Sequence, residues 1–416
     1  MRAGFDWSSS GSLASFDLSY IFHRASIPSR FCLVGNYSLV VCLVLSIEQQ
    51  FPGSPVIVGK ERLARGGPIH ALFINNKVSN VCSGGDGVAD AESVCEAVAE
   101  CLGLPGGAET VLPSSTGVIG WRLPAKELAG DIVPKAVAAL QKESAADAAA
   151  AIMTTDRYPK VRSATLSNGA RIVGFAKGAG MIEPNMATML GYILTDATID
   201  RSTAQTMLSD VVPKSFNSIS VDGDESTSDT VVLVSSNQTD LASEEEFRDA
   251  LESVCKGLAA DIVRNGEGTG HVIRVEIERF PGSNDEAIRL GRHVVNSPLF
   301  KCAISGNDPN TGRLAGAIGS FMGKFKSEAS TDALQIDLGG RTIFANNKFV
   351  LEGDDVETEL SDHIRSAQFD ELEDFPSHER TVQIRRDFGG NGEGSAVVLG
   401  SDLTEEYVRV NADYRS

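Results

Sequence analysis

The sequence has no C-x-x-C pair, and its six histidines show neither H-x-x-x-H nor H-x-x-E spacing. Its seven cysteines, Cys32, Cys42, Cys82, Cys95, Cys101, Cys255 and Cys302, are odd in number and scattered. That pattern disfavours a disulfide framework and a structural zinc site, and fits a reducing compartment. The cysteines read as small buried hydrophobes. No metal site is expected, and each His reads as structural or surface. Basic charge is also short: 37 Lys and Arg stand against 56 Asp and Glu, a formal net charge of −19. A phosphate-binding surface needs concentrated Lys and Arg, so the balance argues against nucleic acid and for a small-molecule substrate. The most apolar stretch, from Phe31 to Ile47, is short and broken by Gly35, Asn36 and Ser38, which disfavours a membrane span.

Nucleotide fingerprints are missing as well. Lys177-Gly178-Ala179-Gly180 lacks the spacing and the terminal G-K-[ST] of a phosphate loop. Gly389 to Gly394 lacks G-x-G-x-x-G spacing and places Glu393 where a phosphate would sit. Gly266-Glu267-Gly268-Thr269-Gly270 follows a predicted helix rather than a strand, and Ser305 to Gly312 is a polar turn. These glycines serve tight turns or a close backbone approach to a ligand.

What is present is a mixed α and β pattern in a chain that is 42% hydrophobic and 22% charged, the profile of a globular protein. Residues 1–50 stand apart: they are Ser-rich, carry Arg2, Arg24 and Arg30 against few acids, and read as a leader or targeting segment. That start points to the mitochondrial matrix, with a plastid or the cytoplasm as alternatives. Val56–Val58 and His70–Ile74 are short strand candidates. Asp86–Leu104 is a helix with Val88, Ala91, Val94, Val98 and Leu102 on one face. Ala125–Met153 is helical and broken near Pro134, and Arg171–Phe175 is a strand. Ser243 with Glu246, and Ser283 with Glu286, form capping boxes before two further helices. Val272–Phe280 alternates, with Ile273, Val275 and Ile277 on one side and Arg274, Glu276 and Glu278 on the other. Thr381–Ile384, Ser395–Leu399 and Tyr407–Val410 read as closing strands. Without a regular βαβ rhythm, the class is α+β.

The run Lys177-Gly-Ala-Gly-Met-Ile-Glu-Pro-Asn-Met-Ala-Thr-Met-Leu190 packs Gly, Pro and Asn before an Ala-Thr-Met-Leu stretch. On composition alone it is a surface connection leading into a buried element. The run resembles the self-processing site of the ornithine acetyltransferase family, the glutamate N-acetyltransferases of arginine biosynthesis. Further blocks match in family order: Ser115-Thr116-Gly117-Val118-Ile119-Gly120, Met153-Thr154-Thr155-Asp156, Ser215-Phe216-Asn217, Val221-Asp222-Gly223-Asp224, Asn265-Gly266-Glu267-Gly268, Asp308-Pro309-Asn310 and the stretch from Tyr407 to Ser416. The similarity runs from about Gly53 to Ser416.

The resemblance implies a layered αββα-type sandwich of the self-processing N-terminal-nucleophile kind. It implies autocleavage between Ala187 and Thr188 into an α fragment, residues 51–187, and a β fragment, residues 188–416. A hydroxyl is a weak nucleophile that needs a base beside it. Cleavage frees the Thr188 α-amine, whose pKa of roughly 8 suits a general base. The family's oxyanion hole falls on Thr116 and Gly117, and its substrate contacts on Thr154, Lys177, Thr188, Glu267, Asn411 and Ser416. The implied reaction moves acetyl from N2-acetyl-L-ornithine to L-glutamate by ping-pong through acetyl-Thr188. It uses no cofactor, with acetyl-CoA as an additional candidate donor. Two fragments of each kind would form a heterotetramer. Two other readings stand beside this one: a self-processing aminopeptidase or amidohydrolase of the same fold, and an uncleaved inactive homologue. Departures from the family are the stretch Asn75 to Val81, where only the two asparagines fit with Cys82 and Gly84 beyond; Thr311 in place of a Trp; Ser416 in place of a Thr; and no counterpart of the family's first strands before Ser54.

Overall fold

The structure is a computed structural model, described for residues 50–138, 145–183, 189–353, 355–369 and 375–412, and for the backbone of 31–45. In chain order its strands are β1 (Phe31–Leu45), β2 (Ile69–Asn75), β3 (Val111–Ser115), β4 (Lys160–Thr165), β5 (Arg171–Lys177), β6 (Leu190–Ala197), β7 (Ile219–Ser220), β8 (Thr230–Thr239), β9 (Val272–Phe280), β10 (Gln335–Leu338), β11 (Arg341–Ala345), β12 (Lys348–Phe349), β13 (Val382–Asp387) and β14 (Gly394–Ser401). They form two mixed sheets of seven strands, ordered β3-β2-β1-β8-β6-β5-β4 and β12-β11-β10-β13-β9-β14-β7. Helices layer onto both, giving the α+β sandwich expected.

Each face of the first sheet is covered. Ile172, Ile193 and Leu233 pack with helices Arg201–Val211 and Glu244–Arg264. Val173, Phe175, Tyr192 and Val234, facing the other way along the same strands, pack with Val56 and the alanines of Ala145–Ala151. This two-sided burial explains why β5 and β6 read as continuous apolar runs. In the second sheet Ile273, Val275 and Ile277 pack under helices Asn284–Val295 and Thr311–Phe325, and β9 spans the residues its alternation predicts.

Several expectations change. Within residues 1–50, expected as a leader, Phe31–Leu45 instead pairs antiparallel with both β2 and β8 inside the first sheet, so it supplies an early strand of the kind that seemed to be missing. Val56–Val58 lies inside the helix Ser54–Arg65, where Pro55 pre-sets the first turn and Val56, Val58 and Arg62 share the buried face. Tyr407–Val410 belongs to the helix Glu405–Asn411, capped by Thr404, with Glu405 and Glu406 in the first turn and Arg409 paired to Glu406. The Ser283–Glu286 capping box is complete. At Ser243 only half forms, because Glu246 turns away to accept from the Ser167 N–H at 2.6 Å and its hydroxyl at 2.8 Å. Among the cysteines, Cys95 and Cys255 are buried, whereas Cys82, Cys101 and Cys302 are exposed. Among the described residues no helix is long and apolar enough to cross a membrane, and no His/Cys/Asp/Glu group has metal-holding geometry.

Candidate active site

The end of β3 opens into Thr116 and Gly117. Thr116 donates its N–H to the Asn75 carbonyl at 3.0 Å and Val118 donates to the Lys77 carbonyl at 3.0 Å. The Gly117 N–H between them has no partner among the described residues. Gly117 has φ +126°, and a Cβ there would meet the Lys77 carbonyl carbon at 2.2 Å, so no other residue fits this crossing. The altered loop after β2 therefore packs directly against this turn. Its two asparagines hold it: Asn75 donates to the Val78 carbonyl at 2.9 Å, and Asn76 donates to the Ala151 and Met153 carbonyls at 3.0 and 2.9 Å.

At the end of β5, Lys177 is buried and donates to the Thr116 hydroxyl at 3.2 Å. Burial pulls its pKa below the usual lysine value, against the pull of Asp156 toward the charged form. Asp156 is fully buried and accepts from Lys160 at 2.5 Å, from the Gly178 N–H at 2.8 Å and from the Thr154 N–H at 3.0 Å. Burial raises its pKa, but Lys160, Lys177 and the Gly178 N–H outweigh it and hold the carboxyl down to about 2. Lys160 in turn donates to Asn265 at 2.6 Å, tying β4 to the 265–270 loop.

That loop carries Glu267. Its N–H donates to the Ala179 carbonyl at 2.8 Å, and its Oε2 accepts from Asn411 at 2.7 Å. Behind it the buried His271–Asp402 pair (2.7 Å) and the bond from Gly270 to Asp402 (2.8 Å) anchor the loop. A Cβ on Gly180 would sit 2.3 Å from Glu267 Oε2, so a glycine is what lets the carboxylate lie flat on the Lys177–Gly180 backbone.

These groups line one cleft of about 280 Å³, together with Thr154 and the polar run Ser226-Thr227-Ser228. Thr116, Gly117, Thr154, Lys177, Glu267 and Asn411, far apart in sequence, are thus gathered in one place. Ala187, Thr188 and Ser416 lie outside the described residues. The sequence reading missed the Asp156–Lys160–Asn265 network, which is legible only as an acid and a lysine four apart. It also missed Asp229, a fully buried acid at the start of β8 that accepts from the Met189 N–H at 2.8 Å. The signal was one acid placed before an unbroken apolar strand.

The cleft combines an unused backbone donor, a buried lysine and a buried carboxylate, a set suited to an oxyanion and a zwitterionic substrate. The ArgJ family model matches residues 32–416. An arginine biosynthesis bifunctional protein ArgJ from Methylococcus capsulatus is 38% identical over 386 residues, covering 90% of this chain and 88% of the relative. One of the same description from Nitratidesulfovibrio vulgaris is 37% identical, covering 95% and 96%. A crystal structure of the ArgJ protein from Bacillus halodurans is 31% identical, spans 53% of this chain and 97% of its own, and has a TM-score of 0.45. These bacterial relatives lend no support to a mitochondrial address. With the match running from β1 through the last helix, the chain belongs to the ArgJ family.

Proposed function

We propose that this chain is a glutamate N-acetyltransferase that cuts its own Ala187–Thr188 bond and then moves acetyl from N2-acetyl-L-ornithine to L-glutamate. The bifunctional arginine-biosynthesis relatives support the acetyl-transfer role. The observation that carries the reading is the single cleft lined by Thr116, Gly117, Thr154, Lys177, Glu267 and Asn411.

In the precursor, the Thr188 hydroxyl adds to the Ala187 carbonyl carbon. The C–N bond breaks as the amide nitrogen takes the hydroxyl proton, leaving an ester. That shift frees the Thr188 α-amine, and water then hydrolyses the ester to a carboxyl group on Ala187 and the free Thr188 hydroxyl. In turnover the amine takes the hydroxyl proton, and Oγ adds to the acetyl carbonyl of acetylornithine. The Gly117 N–H and Thr116 receive the oxyanion, and the amine returns the proton to departing ornithine. The glutamate amine then attacks acetyl-Thr188 in the same site, which makes the kinetics ping-pong. Lys177 pairs the substrate carboxylate, and Glu267, fixed by Asn411, pairs the ornithine side-chain ammonium. Thr154 and Ser416 complete the substrate contacts. No cofactor enters this scheme; acetyl-CoA is an additional donor for direct synthesis of N-acetylglutamate. The α and β fragments stay together and pair into a heterotetramer.

Intact mass and N-terminal sequencing of the purified protein test the reading. Two fragments are expected, one beginning Thr188-Met189-Leu190, and a single full-length band in Thr188→Ala. Cleavage at that bond in Thr188→Ala, or an uncut wild-type chain, would overturn it. Acetate release without acetylglutamate formation would point to a hydrolase instead.

A further inference from the structure

The segment between β7 and β8 grips the chain on both sides of the proposed cut. Upstream, Asp222 accepts from the Met181 N–H at 2.7 Å and the Ile182 N–H at 2.8 Å. The Val221 N–H donates to the Ile182 carbonyl at 2.6 Å, and the Glu183 N–H donates to the Asp224 carbonyl at 3.0 Å. Met181 is held at φ +56°, a left-handed backbone that a non-glycine residue adopts only when its surroundings impose it. Downstream, Asp229 accepts from the Met189 N–H at 2.8 Å, and the Thr230 N–H donates to the Met189 carbonyl at 3.2 Å.

The two grips differ in what they control. The amide nitrogen that Asp229 holds is the one joined to the carbonyl of Thr188. Because a peptide unit is planar, fixing that N–H restrains the α-carbon of the residue before it. Asp229 and Met189 are each only 1% exposed, so water does not compete for this bond. The second carboxylate oxygen of Asp229 is buried and has no partner among the described residues. An unspent buried acceptor is costly to maintain for stability alone. The Asp222 grip holds Met181 and Ile182, on the other side of the bond, which fall on the upstream fragment once that bond is cut, while Asp222 stays on the downstream one.

We propose that Asp222 and Asp229 clamp the chain on either side of the cleavage point, Asp229 being a positioning residue for Thr188 in both self-cleavage and acetyl transfer, and Asp222 serving self-cleavage alone. This rests on the self-processing reading above. The test uses the full chain as wild type, Asp229→Ala, Asp229→Asn and Asp222→Ala, with cleavage half-time, Tm, and kcat and KM per mole of cleaved protein as readouts. Asp229→Ala slows cleavage and lowers kcat by about tenfold or more, with KM within about twofold. Asp229→Asn keeps Oδ1 to accept from Met189 and returns both rates to within about threefold of wild type. Asp222→Ala slows cleavage about tenfold, yet its cleaved fraction keeps kcat within about twofold. If Asp229→Ala does not fold, Asp229→Ser, too short to reach the Met189 N–H, is read in its place. The clamp is overturned if the Asp229→Ala (or Ser) variant cleaves and turns over as wild type does, if Asn gives no rescue, or if Asp222→Ala loses as much kcat as Asp229→Ala. An uncut wild-type chain instead sinks the underlying reading.

Discussion

Gly180→Ala isolates the Glu267 carboxylate without touching it. An alanine Cβ at this position would lie 2.3 Å from Glu267 Oε2, 2.5 Å from Cδ and 2.7 Å from Oε1. Ordinary carbon contacts begin near 3.5 Å, so the carboxylate must retreat by roughly an ångström. The Glu267 backbone is tied to Ala179 at 2.8 Å, so the displacement falls on the side chain and on its 2.7 Å bond from Asn411. A hydrogen bond to a charged group is worth about 1.5–3 kcal/mol, which is roughly a 10- to 150-fold effect. We expect kcat/KM for acetylornithine to fall by about 10- to 100-fold, chiefly through KM, with self-cleavage intact. The backbone at Gly180 is not in the left-handed region, so Tm moves by no more than about 2 °C. Steady-state kinetics with acetylornithine, beside a thermal melt, reads both. Unchanged kcat/KM would refute the role of Glu267 as the ammonium partner. A collapse of Tm together with lost cleavage would make Gly180 a packing residue.

Asp156→Asn tests the buried network through pH. The folded carboxyl titrates at about 2 rather than 3.8. It therefore contributes stability that is present above the unfolded value and lost as pH falls from about 4 toward 2, worth about 2 kcal/mol. Because other carboxyls such as Asp200 and Asp387 are also held down, urea unfolding should show a loss of stability between pH 5 and pH 2 larger by about that increment in the wild type than in the variant. Gly117→Ala places a methyl 2.2 Å from the Lys77 carbonyl carbon at φ +126°. Losing an oxyanion donor costs about 3 kcal/mol of barrier, or roughly 100- to 1,000-fold in kcat, so a near-normal rate would remove Gly117 from the oxyanion hole.

How much was legible in advance follows from the range of the interactions. β9 was read to its ends because its alternation is long and its two faces differ in chemistry. The helix Gly87–Leu102 was read from its apolar face and its Asp86 and Gly103 boundaries. Val56–Val58 was misread because β-branched residues favour strands locally, while burial against the first sheet decides for helix. β1 was misread for a related reason. Gly35, Asn36 and Ser38 broke its apolar pattern, and the register with β2 shifts between Gly35 and Leu39 on that same stretch, just before the strand takes up β8 at Val40. At the site, the resemblance named Thr116, Lys177 and Glu267, residues far apart in sequence that line one cleft. Lys160 reaches Asn265 across 105 residues, and Asp229 reaches Met189 across 40, distances over which no local pattern carries information.

Under the proposed self-cleavage, the strand order of the first sheet sets what becomes of the two fragments. A break between residues 187 and 188 leaves β1 to β5 on one fragment and β6 onward on the other. Yet β1 lies against β8 and β5 against β6, with Lys177 opposite Leu190. The upstream fragment therefore holds both flanks of a sheet whose middle, β8 and β6, belongs to the downstream one, and neither can leave without opening two strand ladders. Before the cut, the chain finds this arrangement as a single tethered polymer. After it, a denatured molecule must find the arrangement as two separate chains, so refolding becomes concentration-dependent. The proposed cut would thus exchange a fold that a single chain can regain for one held mainly by the height of its unfolding barrier.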